Sequence, residues 1–227
     1  MRIAVTGAAC TGKSTFIQDF INNWDTYTTP EKTYRDLFNK RTRHSDKTTK
    51  TTQKKVLDFM IDQHMQYTKD DNILFDRCPI DNIVYSLYAY DKQTSNIDED
   101  FIGDCIPMVR ECMKFIDVIF YLPYIPGQID IEDKQYRVTD ESYIQEIDNL
   151  LAQIEQQSFG SSPFFPAEDR PVMIRLTGDN RQRIKQASMY VNDDGDSYEE
   201  GESEIDWEQL SQFGIEPRDV FPDGVIK

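Results

Sequence analysis

The chain is poor in the residues that usually mark a metal or disulfide protein. It has only two histidines and four cysteines in 227 residues. His44 and His64 stand apart from other ligand types, so no zinc-like spacing arises. Cys10, Cys78, Cys105 and Cys112 form neither a CxxC pair nor a disulfide framework, which fits a reducing compartment. No apolar run approaches membrane-spanning length, and the N-terminus leads into a strand rather than a signal peptide. The expectation is a soluble cytoplasmic protein with no membrane partner. Basic charge is scarce too: 25 Lys and Arg stand against 41 Asp and Glu, for a net charge of −16. A broad basic face for polyanions is thereby excluded, although a local cleft is not.

The acidic excess is concentrated. Asn192 to Asp206 carries eight acidic side chains and no basic one, and about half of the net charge lies there. Three regions are expected: an α/β domain over residues 1–190, an unstructured acidic linker over 191–206, and a tail over 207–227. The tail regains Trp207, Leu210, Phe213 and Phe221 and is expected to dock on the body or a partner.

Within residues 1–190, short apolar strands alternate with amphipathic helices. Strands are expected at RIAVT (2–6), around Trp24–Thr29, at NILF (72–75) running into Asp76, at IDVIFYLP (116–123) and at PVMIRLTG (171–178). Helices are expected from Ser14 to Asn23, from Gln53, beyond Pro79, over IPMVRECMKF, over the segment ending LLAQIEQQ, and over DNRQRIKQASMYV. That alternation predicts βαβ units and a parallel sheet covered on both faces.

Four clusters carry chemistry. Between the first strand and helix stands GAACTGKS, with Gly7, Gly12, Lys13 and Ser14 in the spacing of a phosphate-binding loop. Its glycines permit the tight turn, and the amides from Ala8, Ala9, Cys10 and Thr11 through Thr15 are expected to face phosphate oxygens near a helix N-terminus. Lys13 is expected on the terminal phosphates and the Ser14 hydroxyl on Mg²⁺. Cys10 lies inside this loop, which points to oxidation sensitivity rather than catalysis.

The second cluster, FDRCPID, delivers Asp76 to the carboxyl edge of the sheet, where open α/β folds bind ligands. Asp76 is expected to hold Mg²⁺ or accept a substrate proton, and Arg77 to offer a planar fork to an anion. Asp81 either caps the next helix or faces the substrate. In the third, PEKTYR, Glu31 and Arg35 read on the residues alone as an ion pair on a helix start. The fourth, DKQYR, sets Lys134 and Arg137 in a segment that serves either as a lid or as a solvated loop. GDNRQR (178–183) sits where many P-loop kinases contact adenine, or is a plain helix cap. Tyr85, Tyr88 and Tyr90 read as core and rim.

In this order, GAACTGKST, PEKTYRDLF, the helix carrying Gln53, LFDRCPIDNIVY, VIFYLP and DKQYRVTDE together resemble the NadR-like P-loop ATPase/kinase family over roughly residues 1–190. The resemblance implies a three-layer α/β/α P-loop kinase fold with a lid, ATP and Mg²⁺ as cofactors, and phosphoryl transfer to a nucleoside or nucleotide. It moves Glu31 from ion pair to base or acceptor ligand, Arg35 and Arg77 to acceptor binding, Asp76 to base or Mg²⁺ ligand, and Arg137 to the lid. The lid has DKQYR where relatives carry a tighter Asp-x-x-Arg pattern, which leaves the role of Asp133 open. A modified base or strand end within DNA is the alternative acceptor, a regulatory nucleotide-binding module the alternative class, and a homodimer stays open. A motor ATPase fits worst, because nothing resembles the sensor and arginine-finger regions of an assembled ring.

Overall fold

The structure is a computed structural model and describes residues 1–38, 48–127 and 140–198. Its centre is a parallel sheet of β1 (Arg2–Thr6), β2 (Ile73–Asp76), β3 (Val118–Tyr121) and β4 (Val172–Arg175), in the order β2-β1-β3-β4. The helices are α1 (Lys13–Asn23), α2 (Lys50–His64), α3 (Pro79–Asp91), α4 (Glu99–Cys112), α5 (Glu141–Gln157) and α6 (Asn180–Ala187). Every β1 residue is buried, as expected for a central strand covered on both sides.

Side-chain alternation splits the core into two layers. Ile3, Val5, Leu74, Phe120 and Ile174 face α1 and α6, whereas Ala4, Phe75, Ile119, Tyr121 and Met173 face α3 and its neighbours. Phe16 and Phe20 of α1 and Trp24 at its C-cap recur every fourth residue. Phe16 meets Phe120 edge-on with ring centroids 5.9 Å apart. The opposite layer is the larger, with α2, α4 and α5 all packed on α3. Helices on both faces of a parallel sheet make the three-layer α/β/α arrangement expected from the sequence.

Two expectations change. The strand foreseen near Trp24–Thr29 reduces to a single bridge, in which the Thr28 amide donates to Asn72 O at 3.1 Å and its carbonyl accepts from Leu74 N at 2.8 Å. Trp24 is still tied to α1 through its N–H to Phe20 O, and Pro30 has no N–H to extend the ladder. Nor is the acidic segment unstructured from residue 191. Val191 is buried, the chain through Gly195 lies against the end of α1, and the Tyr198 hydroxyl donates to Ser188 O. Trp24 Nε1 donates to Asn192 O at 2.8 Å and the Tyr27 hydroxyl donates to Gly195 O at 2.7 Å. Gly195 adopts a φ of 90°, and a Cβ there would lie 2.6 Å from Thr26 Oγ1. The tail with Trp207, Leu210, Phe213 and Phe221 lies outside the described residues.

Candidate active site

The site forms where β1 lies between β2 and β3, at the carboxyl edge of the sheet. β1 ends at Thr6 and the chain turns at Gly7, whose φ is 149°. A Cβ on Gly7 would stand 2.5 Å from Leu122 O, so only glycine fits against the exit of β3. The loop then closes on α1 through Gly12 in the left-handed region, with a φ of 84°. Cys10 also takes a left-handed φ of 61° without being glycine, which marks the tightness of the loop.

Lys13, the first residue of α1, turns back across this loop. Its ammonium donates to Gly7 O at 2.8 Å, to Ala8 O, and to Thr11 Oγ1 at 3.3 Å. Burial is the main reason its pKa falls to about 7, with the Arg77 charge adding to the effect. Asp76 and Asp81 pull the other way. Ser14 and Thr15 are exposed on the first turn of α1.

β2 brings Asp76 to the same edge. Arg35, from a short 3₁₀ turn over Tyr34–Leu37, donates to Asp76 Oδ2 at 2.6 Å. Burial alone would raise the Asp76 pKa, yet Arg35, Arg77 and Lys13 hold it below the usual carboxylate value. Asp76 Oδ1 is buried without a hydrogen-bond partner. The expected Glu31–Arg35 pair is corrected accordingly: the carboxylate partner of Arg35 is Asp76, while Glu31 is exposed on a bend. Tyr34 to Leu37 makes only one 3₁₀ turn after Thr33, so Glu31 lies before any helical turn that would stack it on Arg35.

Arg77 points inward. At a left-handed φ of 83° it is buried, donating to Gly7 O at 3.3 Å, to the Asp81 carboxylate, and to the Tyr85 hydroxyl at 3.0 Å. Asp81 caps the first turn of α3 by accepting from Cys78 N at 3.1 Å and also takes the Thr6 hydroxyl at 2.9 Å. Of the two roles weighed for Asp81, the helix cap is the one its contacts serve. Arg77 and Asp81 thus bind β1, β2, α3 and the phosphate loop into one unit. The rings of Tyr34 and Tyr85 lie 5.8 and 5.2 Å from the Arg77 guanidinium carbon. Burial raises the Tyr85 hydroxyl to about 12, so it stays protonated.

Ser14 and Asp76 open on one cavity of about 180 Å³, lined also by Ile17, Thr29, Lys32 and Gln63. Gln63 Nε2 donates to Lys32 O at 2.6 Å and fixes one wall. Residues 128–139, and with them Asp133, Lys134 and Arg137, lie outside the described residues.

Sequence reasoning gave Arg183 no role beyond the GDNRQR segment. Here its Nη1 donates to Thr11 O at 2.7 Å, from α6 into the phosphate loop. Tyr34 and Gln63 were equally unmarked, because their relevance depends on contacts between distant segments. The helix residue Gln53 accepts from Asn82 Nδ2 at 2.5 Å, a buried tie between α2 and α3. His64 is buried too, stacked on Phe75 with 4.0 Å between ring centroids and hydrogen-bonded to Met60 O. Among the described residues no group of three or more His, Cys, Asp or Glu is placed to hold a metal ion.

The description AAA domain belongs to a family model that matches residues 2–159. No curated protein matches the sequence. Among solved structures, deoxyadenosine kinase from M. mycoides with dCMP and dCDP is similar at a TM-score of 0.55 and 17% identity, over 82% of this chain and 96% of that one. Thymidylate kinase from Candida albicans is similar at a TM-score of 0.54 and 15% identity, over 82% and 88% of the two chains. NadR in complex with NR gives 0.57 and 17%, over 83% of this chain and 50% of that one. These likenesses establish the fold, and the family match covers most of the chain. The chain belongs to the AAA domain family, and its fold is that of the P-loop nucleoside and nucleotide kinases.

Proposed function

We propose that this protein is a phosphotransferase that moves the γ-phosphoryl group of ATP to a hydroxyl of a nucleoside, a nucleotide or a related small molecule. One observation carries the reading: the helix turn that follows the phosphate loop and the carboxylate at the end of β2 open on the same cavity. A nucleotide-binding switch also sets a carboxylate beside the loop, but this cavity continues over Ile17, Thr29 and Lys32, the room a transferase needs for a second substrate.

On the donor side, amides of the Gly7–Thr15 segment would receive phosphate oxygens at the start of α1. Lys13 would leave the loop carbonyls and carry its charge to the terminal phosphates. The Ser14 hydroxyl and the unpartnered Asp76 Oδ1 suit Mg²⁺, which takes few protein oxygens and keeps water and phosphate as its other ligands. Bound there, Mg²⁺ would neutralise charge on the phosphates. Asp76, held ionised chiefly by Arg35 and Arg77, is better fitted to that role than to taking a proton.

On the acceptor side, the cavity offers Lys32, Thr29 and the apolar surface of Ile17, with Arg35 beside Asp76. Glu31 is exposed near this cavity wall and is the candidate to align the acceptor hydroxyl. Arg77 would act indirectly, by fixing Gly7 and Asp81. Arg137 is assigned to the lid on the family resemblance. Little bond-making chemistry is asked of the protein, because phosphoryl transfer is governed by alignment and charge neutralisation.

The test is a panel of nucleosides, nucleoside monophosphates and short DNA duplexes incubated with γ-labelled ATP and Mg²⁺. Label in a small-molecule product is the expected result. ATP binding without acceptor-dependent turnover across the panel would overturn the proposal, and label in oligonucleotide would redirect it to DNA.

A further inference from the structure

Arg183 is 3% exposed, yet no carboxylate pairs with it among the described residues. Among the described residues its guanidinium makes one hydrogen bond, from Nη1 to Thr11 O at 2.7 Å, while Nε and Nη2 are buried and unpartnered. A guanidinium used as packing would be an expensive choice, since buried unsatisfied donors and an unpaired buried charge both destabilise. A methionine would fill similar space at no such cost. The single bond it does make ends inside the phosphate loop.

That bond has a geometric consequence. In a trans peptide the carbonyl and the following N–H point in opposite directions. Holding the Thr11 carbonyl toward α6 therefore turns the Gly12 N–H away from α6. No described carbonyl or side chain takes that N–H, and Gly12, which has no Cβ and sits at a left-handed φ of 84°, leaves this peptide unit free of side-chain restraint. Bonds within the loop and the first turn of α1 hold the Thr11 hydroxyl and the Gly12 carbonyl, but among the described donors the Thr11 carbonyl is taken by Arg183 of α6. α6 is suited to hold it: its first turn is closed by a capping box between Asp179 and Gln182, and Asn180 is hydrogen-bonded to Asp19 of α1. Gln186 clamps Thr177 through two bonds, of 3.0 and 2.8 Å.

We propose that Arg183 is a positioning residue of the donor site, which sets the direction of the Gly12 amide by holding the Thr11 carbonyl and so preforms the cradle for a polyphosphate. The inference rests on the loop binding phosphate, the donor half of the proposed function, and is independent of the acceptor.

Inorganic tripolyphosphate with Mg²⁺, titrated by calorimetry into the full chain, isolates this role. The wild type should bind. Arg183→Met should raise the dissociation constant about tenfold, the loss of one charge-assisted hydrogen bond's worth of preorganisation. Arg183→Lys, which keeps one donor, should stay within about threefold of wild type. In turnover with a competent acceptor, Arg183→Met should raise KM for ATP while kcat at saturation stays within about threefold, as for an interaction made equally in ground and transition states. Purely structural loss would instead lower the melting temperature in all variants without rescue by lysine. If Arg183→Met does not fold, Arg183→Gln takes its place, since it retains polarity but is too short for the bond. Wild-type tripolyphosphate affinity in the folded variant overturns the proposal, as does failure of both substitutions to fold. A wild type that binds tripolyphosphate but transfers to no acceptor leaves this inference standing and removes the kinase reading. A wild type that does not bind tripolyphosphate removes both.

Discussion

Lys13 should pick up a proton when a triphosphate binds. In the free protein its pKa lies at about 7 instead of 10.5, because burial penalises the ammonium and Arg77 repels it. The difference corresponds to about 5 kcal/mol of unfavourable environment for the charged form. Between those two values the unfolded chain binds the proton and the folded chain does not. The stability of the free protein therefore rises with pH over about 7 to 10.5 as far as this group is concerned. Binding reverses the balance. A polyphosphate supplies the counter-charge, so the ammonium form is the one that binds. At pH 8.5 roughly 3% of the free protein carries the proton, and uptake on binding should approach one proton per site. Titration calorimetry with ATP at pH 8.5, in buffers of different ionisation enthalpy, reads that number directly. At this pH the ATP phosphates are already fully ionised and do not contribute. Affinity should fall about tenfold per pH unit from 7.5 to 9. Lys13→Arg, which keeps its charge at all these pH values, should show neither the uptake nor the slope. Uptake below about 0.2 proton in the wild type would refute the reasoning, because Lys13 would then already be charged in the free loop.

Other consequences follow from single contacts. Asp76→Asn removes the charge that pairs with Arg35 and lines one cavity with Ser14, so turnover should drop by about 10²–10⁴-fold. An unchanged rate in a steady-state assay would take Asp76 out of the mechanism. His64 is buried and pushed down to about 4 from 6.5, chiefly by desolvation, so its contribution to stability is lost as pH falls from about 6.5 to 4. Replacing it by Leu should flatten that limb by about 3 kcal/mol in urea unfolding curves, and an identical acid limb would show that the ring is not desolvated. Gly7→Ala should abolish triphosphate binding and lower the melting temperature, since its Cβ would press on Leu122 O at 2.5 Å. Unaltered binding by that variant would mean that the loop backbone can yield at Gly7.

By itself the sequence determined the parts whose physics is local. Apolar runs of four or five residues gave the strands, and a 3.6-residue rhythm of Phe16 and Phe20 gave α1. The glycine spacing fixed the phosphate loop, because a turn that tight is decided by backbone sterics within a few residues. Asp76 was likewise legible, since a strand that ends in a carboxylate after a phosphate loop delivers it to one edge of a parallel sheet. The partners of these groups were not legible. Arg35 pairs with Asp76, 41 positions away, rather than with the nearer Glu31. Arg77 and Asp81 neutralise each other inside the molecule, and Arg183 reaches Thr11 across 172 positions. Asn192 and Gly195 are tied through their carbonyls to Trp24 and Tyr27, where charge composition alone predicts an unstructured linker. These outcomes depend on which strands lie side by side after the helical crossovers. They also depend on which polar groups then lose water and must find a partner. Neither condition exists until the sheet has closed, so only the tertiary structure decided them.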